Sequence, residues 1–229
     1  RLKNFGQVLG RCAALSLVLC LVAACSTPIG VVRGTTQDVH YELTANVISA
    51  GELSSWSNQV LQRNNLLERF KEEPEATLNE LRKILPETPS EERLQDRLFA
   101  LAELSFIHAE KTGRSDHYLA ASVYAYAFLF PEKGSQPDPL DPRVRVAADL
   151  YNLGLTKGMA SPDGQEVIIK AGTLTLPFGE LTLTTQPGDF LWGGYRFKRF
   201  IPVGEFVVRG LANRYRQAGI GAPLAAEVE

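Results

Sequence analysis

Apolar residues recur at helical intervals through the earlier part of the chain and alternate with polar residues in the later part. Leu53, Trp56, Val60, Leu67 and Phe70 follow a three-to-four-residue spacing. Ahead of them, Ser49-Ala50-Gly51-Glu52 has the spacing of a capping box, which predicts a helix start there. Pro74 suits the first turn of a helix carrying Leu78, Leu81 and Leu85, which Pro86 stops. From Ser90, the stripe Leu94, Leu98, Leu101, Leu104 and Ile107 predicts an amphipathic helix ending near Gly113. Asp116 can cap the next, Tyr118 to Phe130, which is apolar nearly all round and is predicted at the centre of a bundle. The prolines and glycine between Pro131 and Pro142 predict a loop, and Asp141-Pro142 starts one more helix, ending near Gly158.

The pattern changes near Pro162. Val167-Ile168-Ile169 is β-branched, and Leu174-Thr175-Leu176 and Leu181-Thr182-Leu183-Thr184 alternate around Pro177-Phe178-Gly179, a hairpin signal. Phe190-Leu191-Trp192, Tyr195 to Phe200 beyond Gly193-Gly194, and Phe206-Val207-Val208 complete about five short predicted strands. About five helices followed by strands predict an α+β fold: an N-terminal helical bundle, then a β-rich segment. Ala120, Tyr124 and Ala127 have the spacing of the second helix of a tetratricopeptide repeat, and Leu104 and Ile107 fit its first. Lys111 stands where an aromatic is usual and there is no second copy, so a plain helix pair packed through small residues explains the pattern as well.

The first residues are of another kind. Arg1, Lys3 and Arg11 lead an apolar run from Cys12 to Ala24 that is broken only by Ser16. A basic lead, a short apolar core and small residues at its end make an export signal. The run falls short of the about 20 apolar residues of a membrane-spanning helix. It ends Leu21-Val22-Ala23-Ala24-Cys25, which resembles the bacterial lipobox. That resemblance implies cleavage before Cys25, a diacylglycerol thioether on its sulfur and an acylated amino group. Several acyl chains anchor stably, at about 0.8 kcal/mol per buried CH₂. Ser26 is not the aspartate that retains Gram-negative lipoproteins at the inner membrane, so an outer-membrane location is expected. The expected divisions are a signal over 1–24, a tether and lead-in over 25–48, a helical domain over 49–160 and a β-rich region over 161–229.

Composition adds constraints. Cys12 and Cys20 lie in the expected leader and Cys25 is the third cysteine, so the mature chain is expected to lack disulfides and Cys-based metal sites. Without Arg1, Lys3 and Arg11, 21 basic residues face 26 acidic ones, a net of −5, and no nucleic-acid partner is expected.

No motif supplies chemistry. His40 follows the tether and is expected to be exposed, His108 to lie at the core edge, and His117 to be solvated at a helix start. His108-Ala109-Glu110 has the H-x-E of zinc deaminases, but no Pro-Cys-x-x-Cys follows. HExxH, a P-loop, G-x-G-x-x-G and a G-x-S-x-G elbow are all lacking, and Gly219-Ile220-Gly221 is a lone turn. The aromatics of Leu119 to Phe130 read as core. Arg196, Lys198 and Arg199 beside Tyr195 and Phe197 read as the wet face of a strand more readily than as a binder of phosphate headgroups. No catalytic, cofactor-binding or metal-binding residue is assigned; the one assigned site is lipidation at Cys25.

Several phrases resemble a known family. They are Leu43-Thr44-Ala45-Asn46, Gly51-Glu52-Leu53-Ser54, Phe99 to Ser105, Tyr124 to Pro131, Asp149-Leu150-Tyr151-Asn152 and Gly210 to Arg216 with Gly219 to Leu224. Together they resemble the N-terminal region of bacterial lipoproteins of the α/β-hydrolase, lipase- or esterase-like class. That resemblance implies a helical and β-rich region ahead of a hydrolase domain of the same reading frame. The domain would cleave esters through an acyl-serine and an oxyanion hole. The chain stops at Ala226-Glu227-Val228-Glu229 without a serine elbow and begins without methionine, so a piece of a longer frame is expected. The leading expectation is thus a membrane-anchored, non-catalytic N-terminal region, with membrane lipid as its partner through acylated Cys25 and no cofactor. The alternative is a complete, non-enzymatic envelope lipoprotein that acts as a protein-interaction module.

Overall fold

The computed structural model describes residues 30–87, 90–186, 188–203, 206, 209–210 and 219–229. Helices come first and strands second, an α+β arrangement, as the order of periodicities predicts. The helices are α1 (Thr36–Thr44), α2 (Ser55–Arg63), α3 (Leu67–Glu72), α4 (Pro74–Lys83), α5 (Glu91–Thr112), α6 (Ser115–Leu129) and α7 (Pro142–Gly158). The strands are β1 (Gly172–Leu176), β2 (Gly179–Leu183), β3 (Leu191–Trp192), β4 (Tyr195–Pro202) and β5 (Leu224–Val228). Two compact units divide the chain, 1–39 and 40–229.

Helix starts follow local chemistry. Ser54, not Ser49, caps α2: its Oγ accepts from Ser57 N at 3.3 Å. The Ser49 hydroxyl is engaged in a turn, donating to the Thr44 carbonyl and accepting from Asn46 N. What reads as one helix through Phe70 is two, because Asn65 adopts a left-handed φ of 54° between α2 and α3. Ser90 caps α5, left-handed Gly113 ends it, and Asp141 caps α7 ahead of Pro142, as the sequence predicts. Asp116 does not cap α6. It lies in the first turn and pairs with Arg114 instead. Helix α1 shows no apolar stripe and buries no residue, so periodicity misses it. Thr35 and Asp38 exchange capping hydrogen bonds at its start.

The predicted core arrangement needs one correction. Helix α5 is not merely amphipathic: every residue from Phe99 to Ala109 is buried, because α2, α4, α6 and α7 all pack on it. It shares the centre with α6, which is buried from His117 to Leu129 except along a strip near Tyr126. The rings of Trp56, Phe99 and Phe128 run across this core with centroids 6.3 and 5.6 Å apart. Close approach of α6 and α7 depends on glycine. A methyl group at Gly154 would lie 2.6 Å from the Tyr118 carbonyl oxygen, and one at Gly158 would lie 2.6 Å from Leu119 Cγ.

Two small antiparallel sheets follow, β1-β2 and β3-β4-β5. The β1-β2 hairpin pairs Leu174 with Leu181 and has the expected alternation. It docks through buried Leu176 and through Phe178, whose ring lies 4.9 Å from that of Tyr124 on α6. Val167 forms only an isolated bridge with Ala160, so the predicted strand at 167–169 does not form. Of the strand predicted at Phe206-Val207-Val208, Phe206 is outside any strand, and 207–208 lie outside the described residues. Strand β5 is unannounced by alternation: it pairs with β4 from Leu224 opposite Pro202 to Val228 opposite Phe197. Asn152 of α7 holds its approach, donating to the Gly219 carbonyl and accepting from Gly221 N, both at 2.8 Å.

Candidate functional site

Cys25, with the expected leader over 1–24, lies outside the described residues, as does 211–216 of the resembling phrases. Residues 30–35 are exposed and belong to no helix or strand. No helix among the described residues is long and apolar enough to cross a membrane.

Inside the helical core lies a buried carboxylate that periodicity passes over. Glu103 is fully buried on α5. Its carboxylate accepts from the Ser54 hydroxyl, from the Ser57 hydroxyl at 2.5 Å, from Ser54 N at 3.3 Å and from Val47 N at 3.4 Å. It therefore sits at the start of α2, where amide hydrogens and the helix dipole favour an anion. Burial nevertheless dominates and pushes its pKa above 4.5, against the lowering effect of the Ser54 and Ser57 hydrogen bonds. These contacts make Glu103 a junction between the segment before α2 and α5. A second junction lies nearby. Buried Arg143 binds Asp141 through Nη2 at 2.7 Å and Asp96 at 2.6 Å, with its guanidinium 5.4 Å from the Phe128 ring centre.

The histidines are the feature least legible in the sequence. His40 is exposed and His108 is buried at the edge of the core, as expected. His117, expected in solvent, is 2% exposed, because its side chain lies in a cleft with Leu78 and Arg82 of α4, Ser105 of α5 and Pro177 and Phe178 of the hairpin turn. The His108 and His117 rings meet edge to face with centroids 4.5 Å apart. Their positions explain the meeting: they flank the Gly113 turn at five and four residues' distance, so the antiparallel α5–α6 pair brings them opposite each other. Glu75, in the first turn of α4, completes the group with Oε1 3.4 Å from His108 Nε2. One ligand atom from each of Glu75, His108 and His117 lies within 4.8 Å of the others.

The electrostatics favour neutral imidazole at His117. Burial depresses its pKa below 6.5, and the nearby His108 adds to the effect. Neither ring nitrogen of His117 has a hydrogen-bond partner among the described residues. Arg114 approaches from outside, contacting Glu75 Oε1 at 2.6 Å and Asp116 Oδ1 at 3.0 Å. Glu110 of the H-x-E triplet takes no part: its carboxylate accepts from the Tyr118 hydroxyl at 2.9 Å and from Lys157.

The basic strand is the remaining candidate. On β4, Arg199 and Lys198 both pair with Glu227 of β5, while Arg196 is exposed. A bulge between Phe197 and Arg199 breaks the alternation, so Phe197 and Phe200 meet on one side with centroids 5.8 Å apart. An open recess of about 480 Å³ lies between this strand and residues 166–169. Compared with known proteins, the chain matches no family model, no curated protein and no solved structure.

Proposed function

We propose that this chain is the membrane-tethered, non-catalytic N-terminal region of an extracytoplasmic lipoprotein of the α/β-hydrolase class. Acyl chains on Cys25 hold it on lipid, at the outer membrane, where it carries or covers the hydrolase domain of the same reading frame. The observation that carries the reading is the basic lead, the short apolar run and Leu21-Val22-Ala23-Ala24-Cys25 at its end. The exposed residues 30–35, free of helix and strand, suit a tether between a lipidated cysteine and a fold.

Radiolabelled palmitate fed to cells tests the anchor. The native chain takes up label and sediments with membranes, and Cys25→Ala does neither. Label retained by Cys25→Ala refutes the lipidation site. A short-chain p-nitrophenyl ester tests the division of labour. This region alone is expected to turn over nothing above buffer, and turnover by it overturns the non-catalytic reading.

A further inference from the structure

We infer that Glu75, His108 and His117 form a binding site for one divalent metal ion of the borderline class, for which Zn²⁺ is the natural probe. This inference is independent of the membrane reading. Two imidazoles and one carboxylate are the donor set that such ions prefer, and three protein ligands leave one position for water or another ligand.

Three observations point to a ligand rather than to a chance cluster. First, His117 is 98% buried, yet neither of its nitrogens has a hydrogen-bond partner among the described residues. A buried polar atom without a partner costs about 1–3 kcal/mol, and a metal bond would remove that cost for one nitrogen. Second, the group is assembled from three helices, α4, α5 and α6, so its geometry is set by core packing and not by a mobile loop. Third, the donor atoms lie within 4.8 Å of one another. Tetrahedral zinc with bonds of about 2.0–2.1 Å needs donors roughly 3.3 Å apart. The closure falls to Glu75, whose half-exposed side chain in a first helical turn can swing inward.

The surroundings provide for the exchange of cations. Arg114 places its guanidinium against Glu75 Oε1. When a metal takes that oxygen, Arg114 retains Asp116, which it already binds at 3.0 Å. Asp116 thereby keeps the arginine's charge from being stranded, and the exposed flank of Glu75 is the route by which an ion enters.

The test uses the full chain, stripped with chelator and purified in detergent. Titration with Zn²⁺ alone, followed by calorimetry, is expected to show one ion per chain. Co²⁺ is expected to give the intense visible absorption of a four-coordinate site. Glu75→Gln, on the surface, leaves the fold intact and is expected to weaken Zn²⁺ binding at least tenfold, since losing even an outer partner of a ligand costs about 10–100-fold. His117→Gln is expected to abolish it, and His40→Ala to leave it unchanged. If His117→Gln does not fold by circular dichroism, Glu75→Gln and the Co²⁺ spectrum decide. Absence of stoichiometric binding by the native chain overturns the inference. So does binding that survives Glu75→Gln undiminished, or binding that His40→Ala removes.

Discussion

The helical region and the β-rich region handle apolar surface in opposite ways. In the helices, an unbroken run from Phe99 to Ala109 is buried on all sides, and Phe99 and Phe128 are wholly enclosed. In the strands, Trp192 remains 71% exposed and Leu191 and Tyr195 are each more than half exposed. Packed helices can enclose one another, whereas two- and three-stranded sheets have too little second layer to cover either face. The β region therefore depends on a few anchors to the helices: Leu176, the Phe178–Tyr124 ring pair and the Asn152 hydrogen bonds. The helical region supplies the cooperative core, and the strands are expected to open at lower free energy.

The comparison breaks most directly at Phe99. Phe99→Ala removes a fully enclosed ring and is expected to cost about 3–5 kcal/mol, read as a lowered urea midpoint of the helical signal. Glu103→Ala comes next, at about 2–3 kcal/mol, because it leaves the buried Ser54 and Ser57 hydroxyls and Val47 N without their acceptor. Glu103 also has a pH signature. Its folded pKa is raised, so between 4.5 and that higher value the folded state holds more protons than the unfolded state. Its contribution to stability is accordingly fully present below 4.5 and is lost as pH rises through the folded value. Glu103→Gln is expected to flatten that fall in urea titrations repeated across pH; an unchanged slope would mean the proton resides elsewhere.

Gly154→Ala forces α6 and α7 apart and is expected to cost about 1–3 kcal/mol, measured by thermal unfolding. The smallest effect sharpens the contrast from the other side. Phe178→Ala is expected to cost about 0.5–1.5 kcal/mol in lost ring contact, and hydrogen exchange should localise it. Amides of β1 and β2 exchange faster while those of α5 and α6 keep their protection. Equal loss of protection in both would show that the regions unfold as one unit.

Much of the fold was legible because its signals are local. Ser90, Gly113, Asp141 and Pro142 mark helix ends through backbone groups a few residues away, and they do so in the structure. The Pro177-Phe178-Gly179 hairpin was legible for the same reason, since alternation on either side sets its register. The failures are non-local. Ser49 lost the cap to Ser54 because Glu103, 49 residues from Ser54, stabilises that start. Strand β5 exists because β4 offers an edge, not because Leu224–Val228 alternates. The histidine group carried one faint local mark, two histidines nearly equidistant from Gly113. Glu75 carried none, since it arrives from 33 residues before His108.

By itself, the sequence determined the order of helices and strands and most of the helix boundaries. Each of these follows from short-range periodicity, capping or composition, which act within a turn or two of chain. Only the tertiary structure decided that α5 is enclosed, that Glu103 is a buried carboxyl group with its hydrogen bonds made and that Glu75, His108 and His117 share one place. Those outcomes depend on which helix faces which, and that is settled by packing residues far apart in the chain to interior density, where burial and pairing across helices outweigh local preference.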